Sequence, residues 1–146
     1  MKYIYILLGI VLLGCDPIDS RLKLMNNSDD EIYYSISKVD SFKKNPLHII
    51  KNDTLFNKSN RILPKSFSSH SLIGLNEWEY FINRDCEDSL LRVYFFEKKL
   101  ILNSRWDTIV KKQEFSKKIE IKVVELDKID WEIYYPPLPH VNLPKN

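Results

Sequence analysis

The stretch SLLRVYFFE, residues Ser89–Glu97, is the most apolar internal run of this chain. Apolar and aromatic residues follow one another here, and aromatic side chains are enriched in strands. A short continuous run of this kind is typical of a strand inside a sheet. We therefore predict that Ser89–Glu97 forms a central strand and that other strands flank it.

Five other segments alternate apolar and polar side chains, the pattern of a half-buried strand. They are Leu22–Asn26, Glu31–Lys38, Ser66–Ile73, Glu114–Glu125 and Trp131–Tyr135. Turn-forming residues at 27–30 predict that the first two segments pair as a hairpin. In the last segment, we expect Trp131, Ile133 and Tyr135 to pack inward and Tyr134 to show, although an aromatic surface for sugars or a partner is an alternative.

Helical spacing is clearest in the middle of the chain. Asn76 is a suitable N-cap, and apolar side chains from Trp78 onward recur on one helix face, which predicts a short helix to about Arg84. Residues 98–113 keep a rough helical face but contain a turn-like Asn-Ser pair, so helix and turn both stay open there. Residues 126–130 predict a single helical turn.

The pattern predicts one mainly β domain over residues 22–136, with one or two short helices. A β-sandwich-like arrangement and an antiparallel α+β sheet both fit. Residues 43–65 form a polar, basic loop in this prediction, with a short strand at Leu47–Ile50. Prolines after Tyr135 oppose further strand pairing, so an extended tail is expected over residues 137–146.

Composition excludes several classes of site. The chain has 146 residues, 44% of them hydrophobic and 29% charged, with a net charge of +2, as in one small globular domain. It has no alanine, and Gly74 is the single glycine beyond residue 14. Dinucleotide-binding fingerprints, P-loops and nucleophile elbows need glycines at fixed spacing, so their motifs are missing from this sequence.

The beginning of the sequence predicts export. Lys2 precedes an apolar run, Tyr3–Leu13, that would span roughly 16 Å as a helix. That run is too short for a bilayer core of about 30 Å. A positive start followed by a short apolar region is instead typical of a secretory signal peptide.

The apolar run ends in Leu12-Leu13-Gly14-Cys15, which closely resembles the lipobox of bacterial lipoproteins. The resemblance implies a signal peptide over residues 1–14, cleavage between Gly14 and Cys15, and acylation of Cys15 with palmitate-type chains. Several acyl chains on one cysteine hold a protein on a membrane without a spanning helix. Residues 15–21 would then be the lipidated tether.

No constellation of catalytic or metal-binding type stands out. With Cys15 acylated, Cys86 has no intrachain disulfide partner, and the acidic residues beside it disfavour the thiolate that catalysis needs. The three histidines lack the spacing of zinc ligands. The acidic clusters 29–31 and 85–88 lack the glycine turn of calcium loops. We therefore predict no catalytic residue, no metal and no other cofactor.

The order of segments is similar to that of small uncharacterised lipoproteins of Bacteroides-type bacteria. The similarity rests on the lipobox, on LKLMNNSDDEIYY at 22–34, on the Phe-Phe to WDTI segment that ends at residue 109, and on WEIYYP at 131–136. It implies a cell-envelope location and no particular chemistry. Three Asp-Ser/Thr-aliphatic triplets resemble the O-glycosylation sites of such bacteria and mark Thr54, Ser89 and Thr108 as candidate glycan acceptors.

The sequence thus predicts a non-enzymatic envelope lipoprotein with a structural, adhesion or binding role, in the outer membrane rather than the inner. Its partners would be the membrane and a protein or glycan, not nucleic acid. Two alternatives stay open. An envelope enzyme of glycan-hydrolase type would bring two carboxylates to about 5–10 Å in a deep pocket. An immunity or inhibitor lipoprotein that caps a partner enzyme would expose an apolar patch rimmed by basic residues of loop 43–65.

Overall fold

The computed structural model describes residues 16–43, 46 and 60–138; the predicted strand Leu47–Ile50 and most of loop 43–65 lie outside these ranges. The strands are β1 (Ile18–Asp19), β2 (Lys23–Asn26), β3 (Ile32–Ser37), β4 (Arg61–Ile62), β5 (Ser66–Ser69), β6 (Leu72–Ile73), β7 (Leu91–Glu97), β8 (Lys117–Ile121) and β9 (Glu132–Tyr135). The α-helices are α1 (Glu77–Tyr80), α2 (Lys98–Asn103), α3 (Trp106–Lys112) and α4 (Val123–Leu126). A π-helical turn, Phe81–Asp85, extends α1, and 3-10 turns cover Glu87–Ser89 and Asp127–Ile129.

The largest sheet of the described residues has the order β4–β3–β7–β8 and is antiparallel throughout. The predicted central strand is confirmed, because β7 lies inside this sheet and is buried from Leu91 to Phe96. Successive side chains of a strand point to opposite faces. Leu91, Val93 and Phe95 therefore join one core, while Tyr94 and Phe96 join another.

The main core lies between this sheet and a three-stranded sheet with the order β5–β2–β9. β2 is antiparallel to β5 and parallel to β9, with Leu24 in register with Ile133. Both of these side chains are buried in the main core, as are Trp78 of α1 and Leu126 of α4. Two sheets that share one core make the fold mainly β, as predicted.

The second core lies on the other face of the four-stranded sheet. Phe42 packs there between aromatic rings of β7, with centroids 4.9 Å from Tyr94 and 5.0 Å from Phe96. Ile101 of α2 and Ile109 of α3 complete this core. The two helices therefore form a third layer on the four-stranded sheet.

The predicted hairpin between the first two strands is wrong. β2 pairs with β5 and β9, whereas β3 pairs with β4 and β7, so the chain changes sheets after Asn26. The buried Asn26 side chain holds this corner. Its Nδ2 donates to the carbonyls of Asp30 at 2.8 Å and Ile62 at 3.2 Å, and its Oδ1 accepts the Ser28 N–H at 3.0 Å. Turn residues alone do not distinguish a hairpin from such a corner.

The predicted helix after Asn76 is confirmed as α1 with its π-helical extension, which ends at Asp85. Its cap is not the one predicted, because the Asn76 side chain makes no capping hydrogen bond. Asp19 of β1 supplies the acceptor instead, and its Oδ2 accepts the Trp78 N–H at 3.1 Å. A residue distant in sequence therefore caps this helix, because it accepts a hydrogen bond from a backbone N–H of the first turn.

Segment 98–113, for which helix and turn stayed open, forms α2 and α3. Ser104 separates them because its backbone is extended, at φ −132° and ψ 143°. The helical turn predicted at 126–130 is present in α4 and the 3-10 turn behind it. The described ranges thus hold four short α-helices, where one or two were predicted.

Candidate functional site

The first described residues are part of the fold. β1 pairs antiparallel with β6, with Ile18 opposite Ile73. The Gly74 N–H donates to the Pro17 carbonyl at 2.8 Å, and Gly74 has a φ of 134°, a conformation that side chains oppose. The tether predicted over residues 15–21 therefore joins the body from Pro17 onward.

Arg21 ties this segment to the body. Its Nε and Nη2 donate to Asp19 at 2.9 and 2.7 Å, and its Nη1 donates to Glu79 of α1 at 2.8 Å. The guanidinium carbon also lies 4.4 Å from the ring centre of Trp131, which is a cation–π contact. One arginine thus connects β1, α1 and the start of β9.

The ionisation of this cluster follows from its contacts. The Arg21 guanidinium holds the pKa of the Asp19 carboxyl below its usual value, and the Trp78 N–H adds to this against the opposing effect of burial. Hydrogen bonds from Arg21 to Asp19 and Glu79 in turn raise the pKa of the guanidinium. The Asp19 side chain is only 3% exposed, so its charge is well shielded from solvent. The cluster is therefore a fixed, charge-assisted attachment.

An apolar patch lies on the outer side of the β1–β6 ribbon. Ile18 and Ile73 are cross-strand neighbours whose side chains share one face, and they are 65% and 60% exposed. Leu75 follows in the adjoining turn and is 74% exposed, and Tyr80 of α1 is 59% exposed. The ribbon's other face carries the buried Asp19. Ile18, Ile73 and Leu75 are called the apolar patch below.

The outer face of the three-stranded sheet carries another apolar set, called the sheet row. Phe67, Met25 and Tyr134 lie side by side across β5, β2 and β9, and Phe67 is 55% exposed. Trp131 and Ile133 are buried, as predicted, and Tyr135 is half-buried against the main core. Tyr134 is the member of the aromatic tail on the outer face.

The predicted modification sites differ in their placement. Gly14, Cys15 and Thr54 lie outside the described residues. Thr108 is exposed on α3, where solvent reaches its side chain. Ser89 is half-buried in a 3-10 turn, and its hydroxyl donates to a backbone carbonyl of the preceding helix at 3.4 Å.

Cys86 is a buried thiol. It is 6% exposed and forms no disulfide among the described residues. Burial raises the pKa of the Cys86 thiol, which disfavours the reactive thiolate. Asp85 acts in the same direction, whereas Lys38 and Arg92 lower this pKa, and the effect of burial outweighs theirs.

Two carboxylates share one lysine on the helix side of the four-stranded sheet. Lys118 Nζ lies 2.6 Å from Asp40 and 3.1 Å from Glu120. Hydrogen bonds from Lys118 and from the Tyr94 hydroxyl lower the pKa of Asp40. Burial raises the pKa of Glu120, but donation from Lys118 and Arg92 outweighs it, so the net shift is downward. Both carboxylates are held ionised, whereas glycoside hydrolysis needs one protonated acid.

The sequence interpretation missed a hydrogen-bonded group around Tyr34 in the main core. The Tyr34 hydroxyl lies 2.6 Å from His70 Nε2 and 2.9 Å from Ser68 Oγ. Burial raises the pKa of Tyr34 and keeps the phenol neutral. The only signal in the sequence was that Ser68 and His70 are two residues apart, a spacing that places both side chains on one face of a strand. Ser68 lies opposite the buried Leu24 of β2, so this face is the one that faces the core.

Among the described residues, no group of three or more histidine, cysteine, aspartate or glutamate side chains is placed to hold a metal ion. His48 and His140 lie outside those ranges. Within residues 16–43, 46 and 60–138, no helix combines the length and apolarity needed to cross a bilayer.

Comparison with protein-family models, curated proteins and solved structures finds no match to this chain. Function therefore has to be inferred from the motif Leu12–Cys15 and from the surfaces of the described residues. Three features of the described residues bear on function. They are the docked segment from Pro17 to Arg21, the apolar patch and the sheet row.

Proposed function

We propose that this protein is a cell-envelope lipoprotein, anchored through lipid on Cys15, with a non-enzymatic binding role. The lipobox-like motif Leu12–Cys15 supplies the anchor. The observation that supports this best is the position of the motif, directly behind Lys2 and a short apolar run. The chain then joins the body soon after Cys15, since the Pro17 carbonyl accepts the Gly74 N–H and Arg21 is ion-paired with Glu79. Two extended residues reach about 7 Å, so the lipid would hold the body close to the membrane surface.

The proposed anchor is a cysteine that carries several acyl chains; the outer membrane, rather than the inner, stays the location predicted from the sequence. A single acyl chain gives only marginal, reversible membrane binding, because each buried CH₂ contributes about 0.8 kcal/mol. Several chains on one cysteine give a stable anchor. Acylation of Cys15 would therefore replace a membrane-spanning helix.

A binding role for a protein or glycan partner has support from the sheet row. Phe67, Met25 and Tyr134 form one line on the outer face of a small sheet, and Phe67 is more than half exposed. Aromatic residues and methionine are enriched at the centres of interfaces. The sheet row is therefore the proposed contact surface for the partner.

The enzyme alternative has less support. Asp40 and Glu120 are bridged by Lys118, and both have lowered pKa values. A general acid at neutral pH needs a raised pKa instead. This pair therefore does not supply the acid and base roles of a glycan hydrolase.

An immunity or inhibitor role has one observation in its favour. Leu63 and Phe67 are 50% and 55% exposed, and the exposed cations Arg61 and Lys65 stand beside them in the sequence. Exposed apolar and basic residues at the end of loop 43–65 and the start of β5 are thus close in sequence, which supports this alternative. Because Phe67 also belongs to the sheet row, a capped enzyme would use the same face as any other protein partner.

Metabolic labelling tests the anchor. When a bacterium that expresses the full chain is grown with radiolabelled palmitate, the wild-type protein should carry the label and Cys15→Ser should not, because the motif places acylation on that sulfur. Cys86→Ser is the matched control and should keep the label. Labelled Cys15→Ser protein, or an unlabelled wild type, would contradict the proposal.

A further inference from the structure

We propose that the apolar patch lies in the interfacial layer of the bilayer that holds the Cys15 lipid, so that the body rests on the membrane in one orientation. This rests on the proposed lipid anchor and adds a protein–lipid contact to it. The occupant of the patch is the boundary between lipid headgroups and acyl chains.

The patch has the character of a shallow insertion surface. Ile18, Ile73 and Leu75 are all aliphatic, and each is at least 60% exposed. Ile18 and Ile73 lie on one side of a two-stranded ribbon whose other side carries the buried Asp19, and Leu75 lies in the turn that follows Ile73. Contiguous exposed apolar side chains mark contact sites. Surfaces that lie on membranes bury such groups about 5–10 Å into the interface.

Chain connectivity selects the membrane as the occupant. Ile18 is three residues after Cys15. Three extended residues reach about 11 Å, so lipid on Cys15 would bring Ile18 to the bilayer surface. Ile73 is its cross-strand neighbour, and Leu75 is two residues further on. The patch is therefore the apolar surface next to the attachment point.

The ribbon is attached firmly enough to orient the whole body. Asp19 caps α1 through the Trp78 N–H at 3.1 Å. Arg21 joins Asp19 to Glu79 of α1 and stacks on Trp131. Contact of the ribbon with lipid would therefore position the sheets and helices behind it and not the two short strands alone.

The charges beside the patch indicate which lipids suit it. Asp16 is exposed, and the Glu77 side chain packs against Gly74 in the adjoining turn. These acidic groups favour a neutral lipid surface, and a contact made by aliphatic groups is insensitive to salt. Tyr80, exposed on α1, is an amphipathic aromatic of the kind enriched at membrane interfaces.

A fluorescent dye at position 75 tests the contact. The lipidated protein carries Leu75→Cys in a Cys86→Ser background, is labelled with nitrobenzoxadiazole and is reconstituted into phosphatidylcholine vesicles. The matched control is Leu102→Cys, because Leu102 is 67% exposed and lies on α2 in the layer beyond the four-stranded sheet. Dye at 75 should emit at shorter wavelength and be quenched by brominated acyl chains at low and high salt. Dye at 102 should do neither.

The outcomes separate the two proposals. Wild-type protein that does not float with the vesicles contradicts the lipid anchor itself. Flotation with water-like emission at position 75 overturns the patch contact and leaves the anchor in place. Unlipidated Cys15→Ser protein, labelled at 75 without vesicles, should emit as in water. A shifted emission there would mean that the chain or a second copy covers the patch, which also overturns the inference.

Discussion

At the scale of single residues, Asp19 connects three parts of the molecule. It lies in β1, accepts hydrogen bonds from Arg21, and accepts the Trp78 N–H at the start of α1. Both of its oxygens therefore have donors. A buried carboxylate of this kind stabilises the fold only while it is ionised.

We expect Asp19→Asn to lower the free energy of unfolding at pH 7 by about 2 kcal/mol, because charge-assisted hydrogen bonds to Arg21 are lost. The folded pKa of Asp19 lies below the unfolded value of 3.8. The stabilisation is therefore complete above that value and is lost as pH falls through the folded pKa. Urea unfolding across this range should show the wild type approaching the variant in acid.

Asp107→Asn is the control for this prediction. The Asp107 side chain is 88% exposed, so its substitution should change the unfolding free energy little at any pH. If Asp19→Asn and the wild type differ by the same amount at neutral and strongly acid pH, the ion pair does not contribute as described.

At the scale of elements, α2 and α3 depend on the second core. Helices of six and seven residues are not stable alone in water. Phe42 is the central side chain of their contact with the sheet, and its ring also lies 5.6 Å from that of Trp106. It is 1% exposed.

We expect Phe42→Ala to destabilise the protein by about 3–5 kcal/mol, because it leaves a cavity among aromatic rings. Urea unfolding measures the loss, and near-ultraviolet circular dichroism should report looser aromatic packing. Phe67→Ala is the matched control; Phe67 is 55% exposed, and its loss should cost less than about 1 kcal/mol. Equal effects of the two substitutions would show that this core does not hold the helical layer.

The alternation of side chains predicted most strands because it is a local property. The segments that became β2, β3 and β9 were predicted with ends that differ by one residue at most. The predicted strand 114–125 is confirmed only at Lys117–Ile121, because Val123–Glu125 belong to α4. Segment 66–73 was predicted as one strand but divides into β5 and β6. The reason is tertiary: the His70 N–H bonds the Leu22 carbonyl at 3.0 Å, and the chain then leaves the three-stranded sheet to pair with β1.

At the scale of the whole molecule, the apolar patch and the sheet row belong to different sheets. The patch lies on the β1–β6 ribbon, and the sheet row lies on the outer face of β5–β2–β9. A body oriented by membrane contact at the patch would keep the sheet row in a constant position relative to the membrane. That arrangement would suit repeated contact with the proposed partner.

Photo-crosslinking in cells that express the full chain checks the proposed binding role. A photoreactive amino acid at position 67 should give a discrete adduct, because Phe67 is the most exposed member of the sheet row. The same amino acid at position 102 should not, since Leu102 is similarly exposed but lies in the helical layer. Adducts at both positions, or at neither, would argue against the sheet row as the contact surface.

The sequence by itself determined the central strand, most other strands, the helix after Asn76 and a lipobox-like motif at 12–15. Each of these features depends on residues within a few positions of one another. The period of apolar side chains and the local chemistry are therefore sufficient to predict it. Only the tertiary structure decided that β2 and β3 belong to different sheets, that Asp19 caps α1, and that Arg21 reaches Glu79. The residues in each of these contacts are far apart along the chain. They meet because they are buried together in the folded protein, and local sequence patterns do not encode that.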